Sequence, residues 1–151
     1  MIKFSKLTDY AVVLLATLSR SDELMSASGL SMATKLPEPT VSKVLKLLAK
    51  SSIVESVRGV NGGYKLTRTP KEITVAQIVM GIEGPVTLAS CVDADHDSCS
   101  YSSACPVKGR WDPVNDAVKS ALQGVSLEDM IREDYTFPNF EKTDQQEGVQ
   151  A

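Results

Sequence analysis

At 151 residues, 42% hydrophobic and 23% charged, the chain is one domain or a small domain with an appended element, with enough apolar material for a core. Its longest apolar run, Tyr10 to Leu18, is far too short to span a bilayer and no export signal opens the chain, so a cytoplasmic protein without a membrane partner is expected. The net charge of −3 divides unevenly, with ten Lys or Arg against five Asp or Glu up to Arg68 and six against fourteen beyond it; that is the footprint of a nucleic-acid-binding module beside a non-binding half, or, more plainly, uneven surface decoration.

LTDYAVVLLATL (Leu7–Leu18) predicts a helix apolar nearly all round and buried on several sides. Ser26 can cap a short second helix, Ala27 to about Lys35, which the Leu36–Pro37 bond ends. A third helix runs from about Glu38 to Lys50, with Pro39 tolerable in its first turn. Val41, Val44, Leu45 and Leu48 fall on one face of it, and Pro39, Lys43, Lys46 and Lys50 on the opposite face. The period then becomes strand-like in IVESVR (53–58) and GYKLT (63–67), and the intervening GVNG, with its Asn-Gly pair, signals a hairpin. ITVAQI (73–78) carries a capping box, Thr74 with Gln77, and a staple from Ile73 to Ile78; this fourth helix ends at Gly84-Pro85.

CVDADHDSCSYSSAC (91–105) then holds all three cysteines and the only histidine. An odd cysteine count without an export signal points to reduced thiols that hold metal or do redox chemistry. Beyond the loop Val107, Trp111, Val114, Val118 and Ala121 step as a heptad seam. Pro113 leaves two options: a helix starting at Asp112 as cap with Pro113 first, or a kink. Such a helix outside a compact module has little to bury against except a second copy of itself, which predicts a homodimer; packing within one subunit is the alternative. Ser126 caps a last short helix, and Glu141 to Ala151 reads as a disordered tail.

Helix, helix, turn, helix, hairpin is the order of a winged helix-turn-helix, whose third helix enters the major groove while the wing follows the backbone or reaches a minor groove. The expected fold is therefore mainly α with a small β-hairpin wing. Its parts are a DNA-binding domain (1–84), a cysteine loop (85–106), a long dimerisation helix with a short C-terminal helix (107–134), and the tail (135–151).

Thiolates are the preferred ligands of iron–sulphur clusters, and a non-cysteine fourth ligand raises lability and tunes potential. Cys91, Cys99 and Cys105 supply three, and Asp9 or His96 could complete the set. Zinc on the three cysteines and His96 is a rival, although the paired C-x2-C of zinc knuckles is missing. A metal-free thiol switch is a third reading. An enzyme is disfavoured by the lack of a C-x-x-C, of a glycine-rich phosphate loop and of a second histidine.

LTDYAVVLLATL, VSKVLKLL in the third helix, the wing motif R-G-x-x-G-G-Y (Arg58 to Tyr64) and the three-cysteine loop before an amphipathic helix resemble the Rrf2 family of bacterial transcription regulators, over about Phe4 to Arg132. The opening helix and the loop look like the regulators found with SUF-type iron–sulphur cluster assembly operons. The resemblance implies a dimer on palindromic or near-palindromic double-stranded operator DNA, with a cluster on the three cysteines, 2Fe–2S ahead of 4Fe–4S. In the nitric-oxide-sensing branch an aspartate at the position matched by Asp9 reaches the cluster from the partner subunit, which places Asp9 ahead of His96. The implied DNA contacts are Thr40, Ser42, Lys43 and Lys46 on the third helix and Arg58 and Asn61 on the wing. Three departures stand out. The loop is C-x7-C-x5-C where better-known branches use C-x5-C-x5-C, Lys108 stands where the assembly branch has a liganding histidine, and Ser42 replaces a glutamate of some members. The expected function is a DNA-binding transcription regulator with an iron–sulphur sensor, controlling cluster-assembly genes. A nitric-oxide- or redox-sensing repressor, or a zinc- or thiol-containing regulator, is the alternative.

Overall fold

The structure, a computed structural model, describes residues 2–92, 99–100 and 103–134. Helix α1 (Lys6–Leu18) buries Thr8, Ala11, Leu14, Leu15 and Leu18. It is not buried all round, since Val13 is exposed. Helix α2 (Ala27–Thr34) begins where Ser26 Oγ accepts the Gly29 N–H at 3.0 Å. Lys35, in the left-handed region at φ 58°, turns the chain out of it just before Pro37. Helix α3 (Glu38–Lys50) buries Val41, Val44, Leu45 and Leu48. Each such side chain contributes about 1.5–3 kcal/mol when fully buried, more than any propensity difference along the helix. That face therefore sets the roll of α3 and leaves its lysines outward.

Strands β1 (Val54–Val57) and β2 (Gly63–Leu66) pair antiparallel, Val54 opposite Leu66 and Val57 opposite Gly63. The wing is anchored on its other edge too: Tyr64 N–H donates to Met25 O at 2.8 Å and Met25 N–H to Tyr64 O at 3.1 Å. The hairpin expected through GVNG is formed. Residues 58–62 make its connecting loop, in which Gly59 takes the positive φ of 125° and Gly62 N–H closes back onto Gly59 O at 3.0 Å.

A 3₁₀ turn, Pro70–Glu72, leads to helix α4 (Val75–Glu83). Its capping box is formed: Gln77 N–H donates to Thr74 Oγ1 at 3.2 Å and Thr74 N–H to Gln77 Oε1 at 3.1 Å. Ile73 and Ile78 share the core, and α4 stops at Gly84, φ 90°, before Pro85. Helix α5 (Asp112–Gln123) starts with Pro113 in its first turn, as the first option required, but its cap is Trp111, one residue earlier than expected. Val107 sits in the turns ahead of the helix, so the apolar seam on α5 itself begins at Trp111.

Helix α6 (Leu127–Ile131) starts at a second capping box, Ser126 with Asp129. It returns to the N-terminal elements: Val75 N–H donates to Val125 O at 2.8 Å, Leu127 N–H to Ile73 O at 2.7 Å, and Leu127 is buried in the core formed by α1 to α4 and β1. α5 packs on α4. The expected tail, Glu141 to Ala151, lies outside the described residues. Among the described residues no helix is long and apolar enough to cross a membrane.

Candidate DNA interface and cysteine loop

The α2–α3 connection is held by side chains. Ser31 Oγ donates to Leu36 O at 2.6 Å and Thr34 Oγ1 to Leu30 O at 2.7 Å. The turn therefore presents α3 in one orientation. Lys43, Lys46 and Lys50 are exposed on the face opposite the core, while Thr40 and Ser42 are half-buried beside them. At the wing tip Arg58 and Asn61 are exposed and Val60 stands wholly in solvent. The ion pairs among the described residues are Lys65–Glu55 and Arg132–Asp134. Lys43, Lys46 and Lys50 on the outer face of α3 and Arg58 on the wing thus have no ion-pair partner among the described residues. Outward lysines on a helix beside a basic wing can neutralise phosphates while shorter side chains reach base edges.

The cysteine loop leaves α4 at Gly84 and rejoins α5 at Trp111. Cys91, Cys99 and Cys105 are half-buried thiols. Cys91 lies in a turn closed by Val92 N–H donating to Ala89 O at 3.0 Å. Cys105 opens a run of turns, with Lys108 N–H to Cys105 O at 3.4 Å and Arg110 N–H to Val107 O at 3.1 Å. His96 lies outside the described residues. Among the described residues no three His, Cys, Asp or Glu side chains gather closely enough to hold a metal ion, so the three thiols share a loop without yet sharing a point. Their chemistry still suits iron: three soft sulphur donors on one segment are what a cluster or a thiophilic ion takes. Asp9 is exposed in the first turn of α1, with no hydrogen-bond or ion-pair partner among the described residues, and Val13 is exposed one turn further on.

Two residues without a sequence signature tie these parts together. Ser5, the N-cap of α1, makes no side-chain cap. Glu83, the last residue of α4, supplies one instead: its Oε1 accepts the Thr8 hydroxyl at 2.5 Å and the Ser5 N–H at 2.7 Å. The Thr8 bond, opposed by partial desolvation and aided by Ser5, holds the Glu83 carboxyl below its usual range. A carboxylate at the positive end of α1 is favoured by the helix dipole as well. Asn115 of α5 is buried, and its Oδ1 accepts the Leu88 N–H at 3.0 Å, fastening the start of the cysteine loop to α5.

The profile of the Rrf2 family, described as that of an iron-dependent transcriptional regulator, matches residues 4–133. The HTH-type transcriptional regulator NsrR of Oceanobacillus iheyensis is 30% identical over 133 residues, covering 87% of this chain and 90% of its own. That of Bacillus licheniformis is 26% identical over 132 residues, covering 86% and 92%. Among solved structures, CymR, the global cysteine regulator of B. subtilis, superposes with a TM-score of 0.65 at 25% identity, over 87% of this chain and 97% of that one. IscR of T. potens superposes with a TM-score of 0.61 at 26% identity, over 86% of each chain. These proteins are DNA-binding transcription regulators and not enzymes.

Proposed function

The chain belongs to the Rrf2 family of winged-helix transcription regulators, and from that we propose that it is a homodimeric, operator-binding regulator whose cysteine loop carries a labile iron–sulphur cluster and whose targets are cluster-assembly genes. The observation that carries this reading is the confinement of every thiol in the chain, each half-buried, to one loop between the DNA-binding elements and α5. Cys91, Cys99 and Cys105 would hold the cluster, 2Fe–2S ahead of 4Fe–4S, with Asp9 as fourth ligand and His96 as the alternative. A bound cluster supplies a centre that is readily lost or oxidised, because its fourth ligand is not sulphur.

The dimer rests on α5. Trp111 and Val114 are 45% and 46% exposed there, on a helix whose only fully buried side chain is Asn115. An apolar stripe of this kind is covered when a second subunit lays the same helix against it. Two recognition helices then meet two half-sites of a palindrome. On each half-site Lys43 and Lys46 neutralise phosphate, Thr40 and Ser42 face base edges, and Arg58 and Asn61 reach from the wing. A nitric-oxide- or redox-sensing repressor is the second reading, favoured by the open position of Asp9 on α1.

Purification without oxygen tests the cluster. Red-brown protein containing iron and acid-labile sulphide is expected, and a colourless product would leave zinc or bare thiols. Footprinting on the promoter of an iron–sulphur assembly operon from the same organism tests the target. Absence of protection there by both loaded and metal-free protein would remove that assignment.

A further inference from the structure

Asn115 presents an unmet demand. The side chain is 0% exposed. Its Oδ1 is occupied by the Leu88 N–H, while its Nδ2 is buried with no hydrogen-bond partner among the described residues. Native chains satisfy nearly all such donors, because a desolvated amide without an acceptor is expensive. An aliphatic side chain would avoid that cost but orphan the Leu88 N–H, so the bond to Leu88 accounts for the oxygen and leaves the amide donor to be explained. Nδ2 is closed off from solvent within the single chain, so its acceptor is a group of the subunit or a buried water. The segment best placed to bring one is the loop that Asn115 itself fastens at Leu88, whose next turn, Ala89 to Val92, contains Cys91.

We propose that Asn115 is the positioning residue of the cysteine loop: its Oδ1 anchors the loop to α5 and its Nδ2 donates to a cysteine thiolate, Cys91 being nearest along the chain, when the loop takes up metal. This rests on the metal-binding reading of the loop given above. An N–H···S bond to a metal thiolate fixes the ligand's orientation, and in an iron–sulphur centre it raises the reduction potential by stabilising the more negative state. It also ties the loaded loop to the helix that carries the apolar seam.

The test compares full-length wild type, Asn115→Asp and Asn115→Leu, all without oxygen. The aspartate keeps an oxygen for Leu88 but removes the amide donor; the leucine removes both. Each protein is titrated with Co2+, followed by its thiolate charge-transfer band, and separately reconstituted with ferrous iron and sulphide for a midpoint potential. With thermal melts showing all three folded, both variants should bind Co2+ at least about tenfold more weakly, as outer-sphere partners typically require, and hold a cluster of lower potential. Variants equal to a metal-binding wild type in both measurements would overturn the proposal, leaving a buried water as the partner of Nδ2 and the sensor reading intact. A wild type that takes up neither Co2+ nor iron and sulphide would instead sink the metal reading, and this proposal with it. Should the variants fail to fold, the Asn115 side-chain amide in wild type decides during Zn2+ addition: a downfield NMR shift supports the bond, and an unmoved resonance excludes it.

Discussion

Glu83 shows how one carboxylate can hold two distant segments. Its bonds to Ser5 and Thr8 span 78 and 75 residues, and they give α1 the cap that Ser5 does not provide. Because its folded pKa is depressed below the ordinary 4.5, the stabilisation is fully present above that value and lost as pH falls through the folded pKa. Glu83→Ala should therefore unfold at lower urea at neutral pH. The loss should be roughly 0.5–1 kcal/mol, the low end for a cap because the group is largely solvated and screened. The gap to wild type should shrink in acid; a gap constant from neutral pH down to full protonation would mean the charge does nothing. Gly63 is a second single-residue constraint. A Cβ there would sit 2.8 Å from the Met25 carbonyl carbon and oxygen. Gly63→Ala must therefore push β2 off Met25, costing about 1–3 kcal/mol as overpacking does and loosening the wing. Amide exchange at Tyr64, whose N–H binds Met25, should quicken relative to the core. Glu83 was not marked in the sequence and Gly63 only as a letter of the wing motif, because a cap or a clash between remote segments leaves no local period or spacing to read.

Elements were more legible where their ends are chemical. Ser26, Thr74 and Ser126 each accept a backbone N–H three residues on, so the starts of α2, α4 and α6 could be read from one hydroxyl each. The roll of α3 followed from four apolar residues, all of which are buried. The start of α5 was off by a residue because Trp111 caps it without a side-chain bond, while the hairpin signalled by GVNG is formed, its connection beginning one residue earlier at Arg58. Where α6 docks depends on tertiary pairing with Ile73 and Val75, which a capping box does not encode. For α3 the prediction concerns salt. Lys43→Ala should weaken operator binding across sequences and reduce the slope of log affinity against log salt by about 0.9, with Arg58→Ala doing likewise from the wing. Titrations in anisotropy at several salt concentrations measure this, and unchanged slopes in both variants would dismiss these contacts. For α5, Val114→Asp places a charge in the seam, a cost of several kcal/mol at a buried interface. Val114 is 46% exposed in the single subunit, so the monomer's melting should be little changed while sedimentation shows monomers. Operator affinity should fall as well, since two half-sites are no longer occupied together. A Val114→Asp protein that still sediments as a dimer would take α5 out of the interface.

Across the whole molecule, one chain of contacts runs from the cysteine loop to the DNA-binding helices. Leu88 is fastened to α5 by Asn115, Glu83 at the end of α4 grips the start of α1, and α1 packs on α3 through the common core. Asp9 stands one residue beyond Thr8, whose hydroxyl is held by Glu83, yet it faces outward, where a loop of the partner subunit could meet it. If Asp9 is the fourth ligand, making or losing that one bond pulls on a helix already joined to both the loop and the recognition helix. The separation of the two α3 helices in the dimer then follows the state of the loop. Asp9→Ala should accordingly form a cluster on Cys91, Cys99 and Cys105, because a carboxylate can be replaced by water or an external thiol, but lose it faster in air. Any single Cys→Ala change should abolish the cluster absorption, since two thiolates and one weak ligand are a poor anchor. The decisive measurement is operator affinity of Asp9→Ala with and without its cluster. The two values should coincide, whereas wild type and His96→Ala should each show a difference. Loss of the cluster in His96→Ala together with a full response in Asp9→Ala would place the fourth ligand inside the loop, and the route through α1 would then carry no signal.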